Sequence, residues 1–276
     1  MNIVPTVSWC RHCGQPGAMT EEHLPQRSVG NNSQTNSYVH LPSAPNSRPL
    51  ATWQEGHTSP VLCEGCNSRA NRFGYPTEFK LWYEFVIAQL EAFVNHNGTD
   101  PLNEPYLDIR VPYDRMPGRF VRQVIGNFLA MQDSEQLFAS YPALALLIGS
   151  DQEDLNRAHG PLDIAPLHLF MALANRSTLM TRVPFAPVTT HLLDRTTAGL
   201  FVPPGSSSVG FGVAYVVSPF AFILADCSIP GIENLRIDHW THMDVHERLT
   251  KRDLTIRVPT LSSWTGPTAN MLQVVK

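Results

Sequence analysis

Residues 63–67 read CEGCN and residues 10–13 read CRHC, so the chain carries two cysteine pairs with the same spacing. Two intervening residues allow both thiolates of a pair to bind one metal ion, and two such pairs complete a tetrahedral zinc site. A disulfide-bonded secreted domain would be shorter and richer in cysteine, and a thioredoxin-like redox motif would occur once. The sequence therefore predicts a structural zinc ion bound by Cys10, Cys13, Cys63 and Cys66.

Composition and length are those of a globular protein. The 276 residues are 43% hydrophobic, which excludes wholesale disorder, and the length is sufficient for two domains. The net charge of −4 argues against a protein that coats nucleic acid by bulk electrostatics alone. No apolar run reaches the ~18–20 residues of a membrane helix, and the first residues lack the basic and apolar regions of a signal peptide. We therefore expect a cytoplasmic protein with no membrane partner.

The residues between the two cysteine pairs carry a second motif. Residues 20–25 read TEEHLP, a polar stretch follows to about residue 60, and CEGCN is followed by Gly74 and the acidic Glu78. This order resembles the HNH endonucleases, most closely the branch that combines CxxC-G, E-H-x-x-P and C-x-x-C-N with a later glycine and acidic residue. The resemblance extends over about residues 9–80 and does not reach the rest of the chain.

The resemblance implies a zinc-stabilised ββα-metal domain, in which a twisted hairpin packs on a helix. It implies that His23 is the general base and that Glu22 and Asn67 bind a catalytic metal ion. Hydrolysis of a phosphodiester needs an activated water and a cation beside the scissile phosphate, and histidine titrates near pH ~6.5. Carboxylate and amide oxygens are hard ligands that suit Mg²⁺ or Mn²⁺, whereas thiolates select zinc.

Further residues of this region are weaker candidates. Asn71 lies one helical turn after Asn67, while Glu78 and His57 could support the site or have purely structural roles. Asn67 could also simply cap the following helix. The asparagine that braces the loop in the family has three candidate counterparts, which are Asn31, Asn32 and Asn46, and His40 or His57 could have a related role.

Positive charge is scarce in this region. Residues 1–80 contain six basic and five acidic side chains, and the remainder carries a net charge of −5. Each phosphate contact needs a lysine or arginine, and the candidates for nucleic-acid binding are Arg27, Arg69 and Arg72. We therefore expect a homo-oligomer or a hetero-complex to supplement DNA binding. The resemblance to the HNH endonucleases implies an ATPase or another defence-system subunit as a candidate partner.

From residue 79 to the end, the sequence predicts a second, α+β domain beside the nuclease domain of residues 1–78. A helix over 79–93, apolar on most faces, is followed by an alternating strand at 106–111 and a helix at 118–131. The first helix should end near Asn97, because glycine follows it. Later apolar runs indicate a mostly antiparallel sheet with strands at 167–174, 178–183, 189–193, 209–217 and 221–225. The role of this domain could be sensing, oligomerisation or partner docking.

Two other features of the second domain have ordinary explanations. Residues 238–246 read DHWTHMDVH, which lacks the HExxH spacing, so surface or core-rim histidines are favoured over a metal site. Cys227 follows an apolar run and is expected to be a buried hydrophobe and not a nucleophile.

Together with the resemblance, these patterns predict a metal-dependent HNH endonuclease that hydrolyses DNA. The resemblance alone implies that it serves as the effector of a bacterial anti-phage defence system. Its cofactors would be one structural zinc ion and a catalytic Mg²⁺ or Mn²⁺. A non-catalytic zinc-binding adaptor is one alternative. A mobile-element or homing nuclease is another, although the sequence has no basic helix-turn-helix pattern.

Overall fold

The computed structural model describes residues 8–24, 26–29, 31, 35–37, 51–55, 58–99, 104, 106–131, 141–144, 160–173, 196–201, 210–217, 219–226, 236–250 and 254–259. In these residues helices and strands are mixed and the sheets are small and antiparallel, as predicted. Several predicted features lie outside them, namely the strands at 178–183 and 189–193, Asn32, His40, Asn46, His57 and Cys227.

The N-terminal part consists of short strand pairs that lead into a helix. Its elements in chain order are β1 (Ser8–Trp9), β2 (Pro16–Gly17), β3 (Met19–His23), a 3-10 helix (Arg27–Val29), β4 (Thr35–Ser37), β5 (Ala51–Trp53), β6 (Thr58–Cys63) and α1 (Glu64–Arg72). β1 pairs with β2, β4 pairs with β5, and β3 pairs with β6. Because β6 runs directly into α1, the second cysteine pair lies at the junction of strand and helix.

A long helix, α2 (Tyr75–Asn97), follows α1 after a left-handed turn at Gly74, which has φ +71°. It begins four residues before the predicted start and ends as predicted at Gly98, whose N–H donates to Val94 O. The buried residues all lie in its first half, namely Tyr75, Glu78, Phe79, Trp82 and Val86. The helix is therefore only half covered, although its sequence is apolar on most faces, and the predicted division at residue 78 falls inside it.

The remaining elements pack around one sheet. They are β7 (Tyr106–Val111), α3 (Pro117–Met131), β8 (His168–Leu173), β9 (Thr196–Phe201), β10 (Gly210–Val217), β11 (Phe220–Ala225), a second 3-10 helix (Asp238–His242) and β12 (Leu254–Pro259). The antiparallel sheet has the order β8-β11-β10-β9, and β7 pairs separately with β12. Within the described residues, no helix is both long and apolar enough to cross a lipid bilayer.

The core is rich in aromatic rings from α2, α3 and β11. Phe79 stacks on Phe120 with ring centroids 5.5 Å apart, and Trp82 lies 5.2 Å from Trp240 of the second 3-10 helix. Burial of such side chains supplies most of the driving force for folding. Val29, from the N-terminal part, belongs to the same buried cluster, so the N-terminal strands and the rest of the described chain share a core.

Candidate metal centre

The four predicted zinc ligands lie together. The Sγ atoms of Cys10, Cys13, Cys63 and Cys66 are all within 4.8 Å of one another, and none of the four is in a disulfide. Cys10 and Cys66 are buried, and the other two are half-buried. A shell of four thiolates at this separation fits a tetrahedral zinc ion and leaves no open ligand position, as in a structural site.

The backbone of the first cysteine pair forms a tight turn around its thiolates. Gly14 N–H donates to Cys10 O at 2.8 Å, and Gly14 adopts φ +67°, a left-handed conformation that suits glycine. Cys10 N–H donates to Gln15 O at 2.9 Å. The turn therefore directs both side chains of the pair to one point.

The close approach of the thiols shifts their pKa values in opposite directions. The hydrogen bond from Cys66 lowers the pKa of Cys10 to about 4, and the same bond raises the pKa of Cys66. Burial raises the pKa of Cys13 to about 11. Four adjacent thiolates repel one another, so their simultaneous ionisation requires a bound cation.

Next to the cysteines, α1 packs against both β3 and β6. The strand pair carries a β-bulge between Thr20 and Glu21, at which Val61 has no place in the register. The carbonyl of Val61 instead accepts a hydrogen bond from Arg11 N–H at 2.9 Å. The bulge thus ties the first cysteine turn to the strand that leads to the second.

Glu22 and Asn67 meet at the hydroxyl of Thr20. Thr20 Oγ1 lies 3.3 Å from Glu22 Oε1 and accepts a hydrogen bond from Asn67 Nδ2, also at 3.3 Å. The same hydroxyl donates to Leu62 O at 2.8 Å. Asn71 Nδ2 donates to Asn67 Oδ1 at 3.1 Å. We call Thr20, Glu22, Asn67 and Asn71 the polar cluster.

Sequence reasoning missed Thr20. It lies two residues before Glu22 on the same strand, so both side chains project from one face. This alternation could have indicated from the sequence that Thr20 and Glu22 share a face. Only the pairing of β3 with β6, and the packing of α1 on both strands, places the Thr20 hydroxyl beside Asn67.

The acidity of Glu22 is shifted by its surroundings. Burial raises its pKa to about 7, although the hydrogen bond with Thr20 opposes the shift. A carboxyl group in this state exchanges its proton near neutral pH, and a nearby cation would favour the ionised form. The polar cluster therefore offers a carboxylate and an amide oxygen to a hard divalent ion.

His23 is the last residue of β3 and pairs in register with Thr58. Its side chain is half-buried, and its Nδ1 atom is shielded from solvent. Because neighbouring residues of a strand point to opposite faces, His23 leaves the strand on the side opposite to Glu22.

The other predicted site residues have separate surroundings. Glu78 is buried in the first turns of α2, and its Oε1 accepts a hydrogen bond from Met116 N–H at 2.9 Å. Arg27 forms an exposed ion pair with Glu55 at 3.0 Å. The predicted arginines of α1, Arg69 and Arg72, lie in its last turn, where a cation complements the helix dipole.

The first cysteine turn is also fastened to α3. His12 is buried and its Nε2 donates to Gly126 O at 3.0 Å, while Arg11 Nη1 donates to Ala130 O at 2.5 Å. Burial lowers the pKa of His12, so the ring is held neutral. Gly126 has no side chain here, and a Cβ atom would lie 3.4 Å from His12 Cε1. The two residues between Cys10 and Cys13 therefore bind a helix whose position beside them no sequence pattern predicted.

The histidine-rich segment has a structural role in the described residues. Asp238 receives two hydrogen bonds from Arg236, at 3.0 and 2.7 Å. Burial acts to raise the pKa of Asp238, but the bonds from Arg236 prevail and lower it. In the part of the chain that the structure describes, the metal-binding group of three or more His, Cys, Asp or Glu side chains is the four cysteines.

The chain matches no protein-family model, no curated protein and no solved structure.

Proposed function

We propose that this chain is a metal-dependent HNH endonuclease that hydrolyses phosphodiester bonds of DNA. The observation that carries the proposal is the hydrogen-bonded contact of Glu22 and Asn67 through Thr20, beside a four-cysteine cluster. The pairing of β3 with β6 and the contacts of both strands with α1 support the proposal, as does the resemblance in sequence.

In this proposal Glu22 and Asn67 would hold a Mg²⁺ or Mn²⁺ ion through the carboxylate and the amide oxygen. Such an ion would supply positive charge beside the scissile phosphate. The role of His23 as general base rests on the resemblance, since His23 leaves β3 on the face opposite to Glu22. In this role His23 accepts the proton of a water, which attacks phosphorus as the bond to the leaving oxygen breaks, and that oxygen then takes up a proton. Thr20 orients both ligands, and the cysteines with their zinc ion fix the junction of β6 and α1 from which Asn67 projects.

Plasmid cleavage by the full-length, zinc-loaded protein tests the assignment. With Mg²⁺ or Mn²⁺, the wild type should nick supercoiled DNA, and His23→Ala should reduce the rate roughly 10²–10⁴-fold, since a general base contributes about that factor. Glu22→Gln should also abolish cleavage. Two matched controls should retain it, because Glu21 and His96 are both exposed and lie outside the polar cluster: Glu21→Gln and His96→Ala.

Zinc content and circular dichroism of each variant show whether the fold is intact. An active His23→Ala protein, or a wild type that cleaves no DNA with either metal, would contradict the proposed nuclease function.

A zinc-binding adaptor is the second candidate, and it is favoured by the attachment of the first cysteine turn to α3 through Arg11 and His12. In an adaptor the cysteine cluster would serve only to hold two parts of the chain together. Variants of Cys10 or Cys66 would then abolish function, whereas His23→Ala would leave it unchanged.

The biological role that we propose, an effector of anti-phage defence, rests on the resemblance alone. Bacteria that express the protein with its neighbouring genes should resist phage infection, and the His23→Ala variant should not protect them. Equal plaque counts with the wild type and with an empty vector would contradict this role.

A further inference from the structure

Arginines from three distant parts of the sequence lie on neighbouring segments, which are the end of α1, the start of α3 and residues 245–249. Arg119 of α3 reaches this turn, since its Nη1 would lie 3.0 Å from a Cβ atom at Gly74. Gly74 is two residues beyond Arg72, the last residue of α1. The guanidinium group of Arg119 is therefore a neighbour of the helix end that carries Arg72.

The segment after the second 3-10 helix, residues 245–249, contacts the start of α3. Arg119 Nε donates to Val245 O at 2.6 Å, and Arg119 Nη2 donates to His246 Nδ1 at 3.0 Å. A little further on, Leu249 N–H donates to Arg115 O at 3.0 Å, which brings the exposed Arg248 beside the start of α3. We call this set of residues the arginine strip, and its members are Arg69, Arg72, Arg115, Arg119 and Arg248.

The net charge of the strip and its acidic neighbours is positive. The described acidic residues on the same segments that are not buried are Glu64, Asp114, Asp244 and Glu247, against five arginines. Asp114 is paired with Arg115 at 2.8 Å, and this contact lowers its pKa. Glu78 adds no surface charge, because its side chain is buried and burial raises its pKa.

The strip continues from the polar cluster along α1. Asn67, Asn71 and Arg72 follow one another on this helix, and five residues of helix advance about 7.5 Å. Arg72 is thus about two nucleotides beyond the proposed metal ligand along the helix axis, since a DNA strand rises about 3.4 Å per nucleotide. It lies about 140° around the helix from Asn67, so a bound strand would turn over the end of α1. The strip also supplies the positive charge that is scarce in residues 1–80, because three of its arginines come from the second part of the chain.

We propose that the phosphate backbone of DNA runs from the polar cluster over the end of α1 onto α3 and residues 245–248, bound by Arg72, Arg119 and Arg248. The proposal rests on the proposed nuclease function and names the surface that holds its substrate. The C-terminal part of the chain is then a component of the DNA-binding surface. Arg119 is held by Val245 O and packs with Nη1 against Gly74, so its charge is fixed beside the α1–α2 turn with little loss of side-chain entropy on binding.

DNA binding by the full-length, zinc-loaded chain tests the strip. The Glu22→Gln background prevents cleavage, and fluorescence anisotropy measures the Kd of a labelled 30-base-pair duplex between 50 and 200 mM NaCl. Arg72→Glu and Arg248→Glu change exposed side chains, so the fold should be retained, and circular dichroism checks this. Each should weaken binding about tenfold and reduce the slope of log K against log salt by about one, the value for one lost phosphate contact.

Arg110→Glu is the matched control. Arg110 is exposed on β7, outside the arginine strip, and its backbone N–H donates to Gln89 Oε1 of α2. Gln89 lies fourteen residues along α2 from Tyr75, about 21 Å along the helix axis. Binding by Arg110→Glu should match the parent, and Arg72→Lys and Arg248→Lys, which keep the charge, should retain most of the affinity.

The outcomes separate this proposal from the nuclease itself. A double variant, Arg72→Glu with Arg248→Glu, that binds DNA with the parent's Kd and slope overturns the strip, and the arginines would then face an acidic protein or serve only the fold. If that double variant loses binding while the wild type cleaves nothing, the nuclease fails and the strip stands as a DNA-binding surface. If cleavage depends on His23 but not on the arginine strip, the nuclease assignment stands and the strip is rejected as its DNA-binding surface.

Discussion

At Glu22, burial and hydrogen bonding act in opposite directions on one carboxyl group. Burial prevails and raises the pKa to about 7, above the ordinary glutamate value of 4.5. Between these two values the folded protein holds a proton that the unfolded chain has released. Glu22 therefore lowers the free energy of unfolding as pH rises through this window, and the effect levels off above about pH 7.

The same shift predicts how the proposed catalytic metal binds. Affinity for Mg²⁺ or Mn²⁺ should increase from pH 6 to pH 8, because below about 7 the ion must displace a proton from Glu22. Isothermal titration calorimetry at pH 6, 7 and 8 measures this, and two buffers of different ionisation enthalpy report the released proton. Glu21→Gln should keep the profile and Glu22→Gln should remove binding. An affinity independent of pH would contradict the assignment of Glu22 as a ligand.

At the four cysteines, removal of one ligand should release the metal. Cys66→Ser should reduce the bound zinc from one ion per chain toward none and lower the melting temperature, because a structural zinc site contributes its binding energy to folding. Elemental analysis and thermal unfolding give the two quantities. Cys227→Ser is the control, and it should retain the zinc; a Cys66→Ser protein that keeps a full zinc ion would exclude this donor set.

Among the elements, the contact of the first cysteine turn with α3 has the clearest steric requirement. The His12 ring lies against Gly126, where a Cβ atom would meet it at 3.4 Å, a tight but tolerable approach. The helix and the cysteine turn can therefore approach each other closely only if position 126 is small.

Two substitutions at Gly126 should differ in their effect on stability. Gly126→Ala should change the free energy of unfolding by less than about 1 kcal/mol, because the gain in helix propensity offsets a small displacement of the ring. Gly126→Leu should destabilise the protein by about 1–3 kcal/mol, since a larger side chain must displace His12. Urea unfolding measures both. Equal stability of the two variants would show that the contact tolerates displacement.

At the scale of the whole molecule, the cysteine cluster and the second part of the chain depend on each other. Arg11 and His12 bind backbone carbonyls of α3, and Val29 lies in the main core. The predicted division into residues 1–78 and 79–276 stays a prediction, and these contacts bear on how far the first part could act alone.

A fragment of residues 1–78 should therefore hold zinc less firmly than the full chain. It lacks α3, so the His12 ring loses its cover and its acceptor, and a buried hydrogen bond of this kind contributes about 0.5–1.5 kcal/mol. Zinc release to a chromogenic chelator should be faster for the fragment. Identical release rates would indicate an independent domain and a merely adventitious contact with α3.

Local patterns were sufficient for much of this protein. The spacing of Cys10, Cys13, Cys63 and Cys66 predicted the cluster that the structure confirms, and periodicity predicted the strand at 106–111 and the helix at 118–131. These features depend on residues close in sequence, or on a metal ion that selects its ligands by their chemistry.

Three features became visible only in the folded chain: the hydroxyl of Thr20 between Glu22 and Asn67, the attachment of His12 to α3, and Arg119 beside the end of α1. Each is a contact between residues far apart in sequence, made across the register of a sheet or the face of a helix. No local propensity encodes such contacts, because they arise when distant elements bury apolar surface in a common core.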